Sequence, residues 1–219
     1  MKIALVAATH KEIEPALEYL SERLFLKTRH RFTTVVTGVG MINTTYTLTK
    51  KFAVEKPEIA IQCGIAGTLH PVYLPGSVLA VKEEIIGDLG VVENEQLMDV
   101  FDMALAEADD FPFHHGKLIN PHYDLLSKTH LLAIRGVTVN EITTKAEKIH
   151  QLIEKYAPVV ESMEGAAFHY VCLQEGIPFV QLRAISNFIG ERDKQKWKMK
   201  EAICNLNNQL ISFINKLTD

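Results

Sequence analysis

The sequence lacks the features that mark several large functional classes. Its 219 residues include three cysteines, Cys63, Cys172 and Cys204, and no Cys-x-x-Cys pair. An odd number of widely spaced cysteines predicts free thiols and a reducing, cytoplasmic location rather than a disulfide framework. Nine histidines are present without the spacing of zinc ligands, so we expect no bound metal. The neighbouring His114 and His115 are expected to point apart.

Long apolar runs and strong basic charge are also missing. No segment approaches the ~20 apolar residues of a membrane span, and the apolar run Ile3–Val6 is too short for a signal peptide, so it predicts a first strand. The net charge is -4 and the longest basic cluster is the short run Lys194–Lys198. We therefore expect neither a membrane nor a nucleic acid as partner, since phosphate binding needs a broad Lys/Arg surface.

Complete cofactor and nucleophile motifs are absent as well. The chain has no G-x-x-x-x-G-K-[ST] loop and no G-x-S-x-G elbow, which argues against NTP hydrolysis and a serine hydrolase triad. Gly38-Val39-Gly40 follows a strand, but Asn43 occupies the third glycine position of a dinucleotide fingerprint. We expect no cofactor, and interpret the two glycines as a tight turn or a close backbone approach.

Strands and helices alternate along the chain, which predicts one α/β domain over residues 1–219 with a mainly parallel sheet. Apolar and turn patterns predict strands at 2–7, 33–37, 59–62, 77–86, 134–141 and 178–186. They predict helices at 11–24, 42–54, 144–156, 164–174 and 193–217, with 91–130 irregular. Ligands of such sheets bind beyond the carboxyl ends of the strands.

Chemistry-bearing residues follow several of these strand ends. Glu161–Ala167 places the carboxylate of Glu164 at the start of a helix, and Arg183–Asn187 ends a strand with a carboxamide. Glu12 lies just past the first strand, so parallel strands would gather all of them at one edge of the sheet. A carboxylate suits sugar hydroxyls and a carboxamide suits a purine edge, so the pattern predicts a nucleoside site. Periodicity alone would leave Glu164 as a carboxylate that interacts with the helix dipole.

Six segments together resemble the nucleoside phosphorylase and nucleosidase superfamily along essentially the whole chain. They are Lys2–Val6 with Glu12, Gly38–Gly40, Gly64–Gly67, Leu74–Val78, Ser162–Ala167 and Arg183–Asn187. The resemblance implies a three-layer α/β/α sandwich with a mixed, mainly parallel and partly barrel-like central sheet. It also implies a homo-oligomer, with a dimer favoured, in which a neighbour's loop closes the 5′ side of the pocket. Residues 109–113 are our candidate for that loop.

The same resemblance implies a role for each matching residue. Glu12 matches the carboxylate that positions and deprotonates the attacking water, and Glu164 matches the carboxylate that binds the ribose hydroxyls. Met163 matches a residue lining the sugar, and Arg183 an arginine near the water and both glutamates. These roles suit the chemistry, because cleaving an N-glycosidic bond builds positive charge on the ribose, and a fixed carboxylate stabilises that charge.

Residues around the base set the expected specificity. Ile142 and Thr143 match the base-contacting loop, and Asn187 stands where adenosine-type nucleosidases carry Asp. A carboxamide can donate one hydrogen to purine N7 and the other to a 6-oxo group, so Asn187 favours a 6-oxopurine such as hypoxanthine. Ile65 stands where relatives carry serine or phosphate-binding hydroxyls, and an apolar side chain there favours water over phosphate as the nucleophile.

This combination resembles the futalosine hydrolase family, as do Asn187–Asp193, Trp197 and Gly87–Gly90. The family reaction, on a menaquinone route, releases hypoxanthine from futalosine and leaves dehypoxanthine futalosine. Futalosine carries a benzoate, which we expect to meet Arg192 or a histidine of the His114–His115 loop. Three alternatives stay open: a methylthioadenosine/S-adenosylhomocysteine-type nucleosidase, an inosine-type purine nucleoside phosphorylase, and a non-catalytic nucleoside-binding module.

Overall fold

Residues 1–24 and 30–218 are described by a computed structural model, and within them the chain forms ten strands and six helices. The strands are Lys2–Ala7 (β1), Arg31–Val36 (β2), Ile59–Thr68 (β3), Val78–Ile86 (β4), Gly90–Glu93 (β5), Gln96–Asp99 (β6), Leu118–Ile119 (β7), Ala133–Thr138 (β8), Val160–Ser162 (β9) and Phe179–Phe188 (β10). The helices are Glu14–Leu24 (α1), Met41–Val54 (α2), Tyr123–Ser127 (α3), Ala146–Tyr156 (α4), Gly165–Gln174 (α5) and Met199–Thr218 (α6). None of these helices combines the length and the hydropathy of a membrane span.

The central sheet is mixed and partly closed on itself. Its strand order is β10-β4-β8-β9-β3-β1-β2, and β10 also pairs with β3. The pairs β1–β2, β1–β3, β3–β10, β4–β8 and β8–β9 are parallel, whereas β3–β9 and β4–β10 are antiparallel. Five strands therefore form a closed ring, while β1 and β2 extend from it as an open sheet. The predicted mixed, mainly parallel sheet is confirmed.

Helices cover both faces of this sheet, which gives the three layers. Alternate residues of β1 face opposite cores: Ile3 and Leu5 belong to the core that contains α1 and α6, and Ala4 and Val6 to the core that contains α2 and α5. All four are buried. Burial on both faces explains why β1 is a continuous apolar run rather than an alternating one.

The sequence analysis expected the site residues to meet at one edge of the sheet because the strands are parallel. The direction of β9 differs from that expectation. β9 runs antiparallel to β3, with Glu161 paired to Gly67. The residues still meet because β3 continues to Thr68, beyond the predicted end at residue 62, so β9 folds back along this extension. Met163 and Glu164 therefore lie beside the middle of β3 rather than beyond a common edge.

The last helix begins later than predicted. A 3-10 turn spans Lys194–Lys196, capped by the Asp193 carboxylate, which accepts a hydrogen bond from the Gln195 N–H. Trp197 is extended, with its indole N–H 3.1 Å from the Glu191 carbonyl oxygen. This extended residue separates the turn from α6 and places the Trp197 side chain in the wall of the cavity described below. The region 91–130, predicted as irregular, contains most of the hairpin formed by β5 and β6, together with β7 and α3.

Candidate active site

A cavity of about 330 Å³ opens where β1, β3, β9 and β10 meet. Its volume lies in the range of small-molecule sites. Six of the eight predicted site residues line it: Glu12, Ile65, Ile142, Met163, Glu164 and Asn187. Arg183 and Thr143 do not line it and lie behind its wall.

Glu12 is held at the cavity wall by three donors. It ends a 3-10 turn, His10–Glu12, that follows β1 directly. Its Oε2 accepts hydrogen bonds from the Thr9 N–H at 2.9 Å and the Thr9 hydroxyl at 3.0 Å, and its Oε1 accepts one from the Ile65 N–H at 3.1 Å. The side chain is buried except toward the cavity. This arrangement fixes the position of a carboxylate that can take a proton from a bound water.

Glu164 lies immediately before α5, and both of its oxygens face donors. Oε1 accepts a hydrogen bond from the Gly40 N–H at 3.1 Å, and Oε2 lies 3.4 Å from Nη1 of Arg183. Gly40 has a φ of +93°, a conformation that L side chains rarely adopt. The Gly38-Val39-Gly40 segment therefore makes a close backbone approach to a carboxylate, as the sequence interpretation held.

Arg183 supports this carboxylate from behind the cavity. Its guanidinium is 1% exposed and donates from Nη2 to Gln62 Oε1 at 3.1 Å and from Nη1 to the Ile65 carbonyl oxygen at 3.4 Å. A Cβ on Gly64 would lie 2.4 Å from Nη1, so a larger residue there would displace the guanidinium from its position against β3. Removing one partner of a buried ion pair leaves an uncompensated charge. Arg183 thus holds Glu164 from behind the cavity, close to the glutamate as expected, and does not itself line the cavity.

Asn187 lies at a bulge of β10, with its side chain in the cavity wall. Its Oδ1 accepts a hydrogen bond from the Ser186 hydroxyl at 2.7 Å, and its Nδ2 donates to the Phe188 carbonyl oxygen at 2.9 Å. The sequence analysis expected both amide hydrogens to reach a base. In this arrangement the neighbouring carbonyl takes one of them, so a single N–H is left for a ligand.

Glu161 of β9, to which the sequence analysis gave no role, contacts the base-contacting loop formed by Ile142 and Thr143. Ile142 is exposed and lines the cavity, whereas Thr143 is buried and donates its N–H to Oε1 of Glu161 at 3.0 Å. Glu161 is buried, lines the cavity, and has its pKa raised, chiefly by desolvation. The sequence signal that could have identified Glu161 is an acidic residue within an otherwise buried strand. A buried ionisable group needs a specific hydrogen-bond or charge partner.

An apolar wall completes the cavity on the side of α6. Its members are Ile189, Trp197, Met199 and Ile203. Arg192 lies over the Trp197 ring, 5.7 Å from its centroid, and Lys11 lines the cavity near Glu12. Two cations therefore lie in or beside this region, which can attract an anionic group.

The His114–His115 loop lies outside this lining set and corrects one expectation. The two imidazoles do not point apart: their ring centroids are 4.3 Å apart, and each Nδ1 lies 3.4 Å from an oxygen of Asp109. The positive φ of His115 turns the chain so that both rings face this carboxylate. All three side chains are exposed, and their arrangement could accommodate a metal ion. The two rings therefore face one carboxylate rather than diverging, whereas the expectation of no bound metal stays a prediction.

The two aromatic residues of the candidate loop 109–113 have different environments. Phe113 packs on Phe101, with ring centroids 5.3 Å apart, and on Tyr170, whereas the side chain of Phe111 is 68% exposed. Core packing accounts for the first ring, and the second is open to a partner.

Comparison with known proteins places these features in context. The model of the family described as the phosphorylase superfamily matches residues 2–215. The chain is 32% identical over 175 residues to the futalosine hydrolase of Thermus thermophilus, covering 78% of this chain and 76% of that protein. It is 27% identical over 164 residues to the 5′-methylthioadenosine/S-adenosylhomocysteine nucleosidase of Listeria welshimeri, covering 70% and 67%. The solved futalosine hydrolase of Helicobacter pylori shares the fold, with a TM-score of 0.78 at 16% identity over 99% and 98% of the two chains.

Proposed function

This chain belongs to the phosphorylase superfamily, and we propose that it hydrolyses the N-glycosidic bond of futalosine. The products are hypoxanthine and dehypoxanthine futalosine. The similarity to the Thermus thermophilus futalosine hydrolase supports this substrate over the nucleosides named for the more distant relatives.

One observation carries the proposal: Glu12 and Glu164 line the same cavity, and each is fixed by its own donors. Departure of the base leaves an oxocarbenium-like ribose, which the Glu164 carboxylate stabilises from a fixed position. Glu12 takes a proton from the attacking water as the new C–O bond forms. The base leaves as a purine anion that accepts the remaining N–H of Asn187 as a hydrogen bond. A proton from solvent then neutralises the purine, and Glu12 returns its proton to solvent. A non-catalytic binding module would need only one of the two carboxylates.

Water rather than phosphate is the proposed nucleophile. The apolar Ile65 side chain faces the cavity beside Glu12, and a phosphate dianion placed there would meet a carboxylate of the same charge. Lys11 also lines the cavity and is the one observation that favours the alternative phosphorylase. The two reactions differ in their product, because phosphorolysis leaves a sugar phosphate.

The assay that tests the proposal uses the purified protein with futalosine or methylthioadenosine, each with and without phosphate. We expect hypoxanthine to be released from futalosine at a rate independent of phosphate, as followed by liquid chromatography. Faster release of adenine from methylthioadenosine would replace futalosine as the substrate. A requirement for phosphate, with a sugar phosphate as product, would select the phosphorylase.

Asn187→Asp is expected to shift base preference toward adenine nucleosides. A protonated aspartate donates to N7 and accepts from a 6-amino group, whereas the wild-type amide offers only a donor there. One mismatched buried polar group costs about 1–3 kcal/mol, so the ratio of kcat/KM values should move by about 10- to 100-fold. Asn208→Asp, an exposed residue of α6, is the matched control. An unchanged ratio in a folded Asn187→Asp variant would remove the role of Asn187 in reading the base.

The remaining parts of the proposal concern the 5′ group and the assembly. Arg192, stacked on the cavity residue Trp197, is the proposed partner of the futalosine carboxylate. A homodimer is the proposed assembly, supported by the exposed apolar side chains of Ile42 and Tyr46 on α2 and by the exposed Phe111. The free thiols Cys63, Cys172 and Cys204 support a reducing, cytoplasmic location.

A further inference from the structure

A polar cluster to which the proposed reaction gives no role is buried behind the start of α5. Its centre is Glu84 of β4, which is fully buried. Oε2 of Glu84 accepts a hydrogen bond from the Thr138 hydroxyl at 2.9 Å, and the same hydroxyl accepts one from the Ala166 N–H at 2.8 Å. Ala166 lies in the first turn of α5, two residues after Glu164. One side chain therefore connects Glu84 to the start of the helix that follows the proposed ribose carboxylate.

Two glycines provide the space for the Glu84 carboxyl group. Gly136 of β8 pairs with Glu84, and a Cβ there would lie 2.6 Å from Glu84 Oε1. A Cβ on Gly165, the first residue of α5, would overlap the same oxygen. Because this carboxyl group is closed off from solvent, its hydrogen-bond partners must come from the protein.

Glu84 forms no ion pair within residues 1–24 and 30–218. Arg183 is the cation that acts on it, but Arg183 pairs with Glu164 instead, and the strands beside β4 at this position contribute the uncharged residues Leu118 and Gly136. A buried carboxylate without a paired cation is costly, whereas the protonated acid is not. Burial raises the pKa of Glu84 from its ordinary value of 4.5 to about 7; the charge of Arg183 opposes this shift and that of Glu164 adds to it.

The polar atoms around Glu84 indicate where a hydrogen is needed. His169 of α5 has its Nδ1 3.0 Å from the Leu118 carbonyl oxygen, so Nδ1 carries the ring hydrogen and Nε2 is an acceptor. Burial lowers the pKa of His169 to about 3, which keeps the ring neutral. When Gln181 directs its Nε2 to Glu84 Oε1 at 2.8 Å, both Gln181 Oε1 and His169 Nε2 are buried without a partner among the described residues.

The opposite orientation of the Gln181 amide satisfies both atoms. Its NH₂ group then donates to Nε2 of His169, beside which the Gln181 side chain lies, and its oxygen accepts a hydrogen from Glu84. This arrangement requires a hydrogen on the Glu84 carboxyl group. The hydrogen-bond partners and the burial of Glu84 therefore both favour a neutral carboxylic acid.

We propose that Glu84 is a positioning residue, which as a neutral acid directs the Thr138 hydroxyl to the Ala166 N–H and so fixes Glu164 at the start of α5. The hydrogen of the Thr138 hydroxyl is committed to Glu84, which leaves a lone pair for Ala166. Because Glu84 carries no charge, Arg183 remains available to Glu164. This inference rests on the proposed function, since it concerns the placement of the carboxylate that stabilises the cationic ribose.

A double-mutant cycle tests the connection from Glu84 to Glu164. Glu84→Leu removes the acceptor with a side chain of similar size, and Thr138→Val removes the hydroxyl with a side chain of the same shape. Each should lower kcat/KM for futalosine by about 10- to 100-fold, because a displacement of about 1 Å can cost about 100-fold. The double variant should lose no more than the larger single loss. The calorimetric affinity for free hypoxanthine, which lacks the ribose, should stay close to that of the wild type.

Conservative variants separate positioning from a general loss of stability. Thr138→Ser keeps the hydroxyl, and Glu84→Gln keeps an acceptor for Thr138 and a donor for Gln181, so both should retain most of the wild-type kcat/KM. Glu83→Gln is the matched control on β4: Glu83 pairs with Arg135 at 2.8 Å, so this change should lower stability without lowering kcat/KM. Unchanged kcat/KM in Thr138→Val, or equal losses in Thr138→Val and Thr138→Ser, would overturn the inference. The Thr138 variants answer the question if Glu84→Leu does not fold.

Infrared difference spectra and stability against pH test the protonation of Glu84. Wild type compared with Glu84→Gln should show a carboxylic-acid C=O band that disappears as the pH rises through the pKa of about 7. The folded state binds this proton more tightly than the unfolded chain, so the stability of the wild type relative to Glu84→Gln should fall as the pH rises from 4.5 to about 7. A missing band, or parallel stability curves, would overturn the neutral acid.

The futalosine assay keeps the two proposals apart. Release of hypoxanthine from futalosine at the wild-type rate by Thr138→Val would remove the Glu84 inference and leave the proposed reaction. Failure of the wild type to hydrolyse futalosine, with coupled losses in the Glu84 and Thr138 variants on methylthioadenosine, would remove the proposed reaction and leave the positioning role.

Discussion

Glu12→Gln is expected to lower kcat for futalosine by about 10²–10⁴-fold, the usual contribution of a general base, with little change in substrate affinity. Glutamine has nearly the same shape, but its amide nitrogen must face either the Thr9 N–H or the Ile65 N–H, because both Glu12 oxygens accept backbone donors. We therefore expect the free energy of unfolding to fall by about 1–3 kcal/mol as well. Glutamine cannot take a proton from water at neutral pH. Single-turnover kinetics would give the chemical rate, and calorimetric titration with the product hypoxanthine would give the affinity of the base site.

The control for this substitution lies two residues away. Glu14 begins α1, is exposed, and pairs only with His10 at 3.8 Å among the described residues, so Glu14→Gln should retain wild-type turnover. Wild-type turnover in Glu12→Gln would show that another group accepts the proton. A parallel loss of base affinity and rate would instead indicate that the substitution disturbed the cavity.

Glu164→Gln is expected to lower kcat/KM by about 10²–10³-fold, as when one fixed electrostatic partner of a transition state is removed. The neutral amide does not stabilise a cationic ribose. It also introduces a local conflict, because both carboxylate oxygens face donors, Gly40 N–H and Arg183 Nη1, and the amide nitrogen must face one of them. We expect the free energy of unfolding to fall by about 1–3 kcal/mol as well.

The two losses can be separated by comparing kinetics with chemical denaturation. Glu175→Gln, at the opposite end of α5, is the matched control and should change neither quantity appreciably. A Glu164→Gln enzyme that loses stability but keeps its kcat/KM would assign Glu164 a structural role only. Loss of both is the result that the geometry supports.

Local patterns in the sequence predicted most helices and strands, because the buried side chains of each element recur at regular spacing along the chain. The continuous run of β1 and the apolar stripe of α6 are examples, and both elements are present. The start of α6 was predicted too early because nothing local indicates that Trp197 is extended. The direction of β9 is set by its pairing with the extension of β3, a long-range contact that a three-residue strand cannot encode by itself.

Site residues could be predicted where the side chain has a characteristic chemistry and a recognised motif fixes its position in the fold. Glu12, Glu164 and Asn187 have this character, and all three line the cavity. Glu161 was quoted as part of a motif but given no role, because its burial and its contact with Thr143 depend on how distant segments pack. The hydrogen bond from Asn187 to the Phe188 carbonyl oxygen could not be predicted either, because it depends on the backbone path at the bulge of β10.

Closure of the strand ring ties the geometry of the candidate site to contacts between distant parts of the chain. β3 and β10 align Ala60 with Phe179 and Thr68 with Phe188, segments far apart along the chain. Contacts of such high sequence separation form slowly, since the loop between them must be ordered first. Arg183 of β10 reaches Glu164 past β3, so the ion pair behind the cavity depends on this contact between distant parts of the chain. The position of this reactive carboxylate is therefore a property of the completed topology rather than of any local segment.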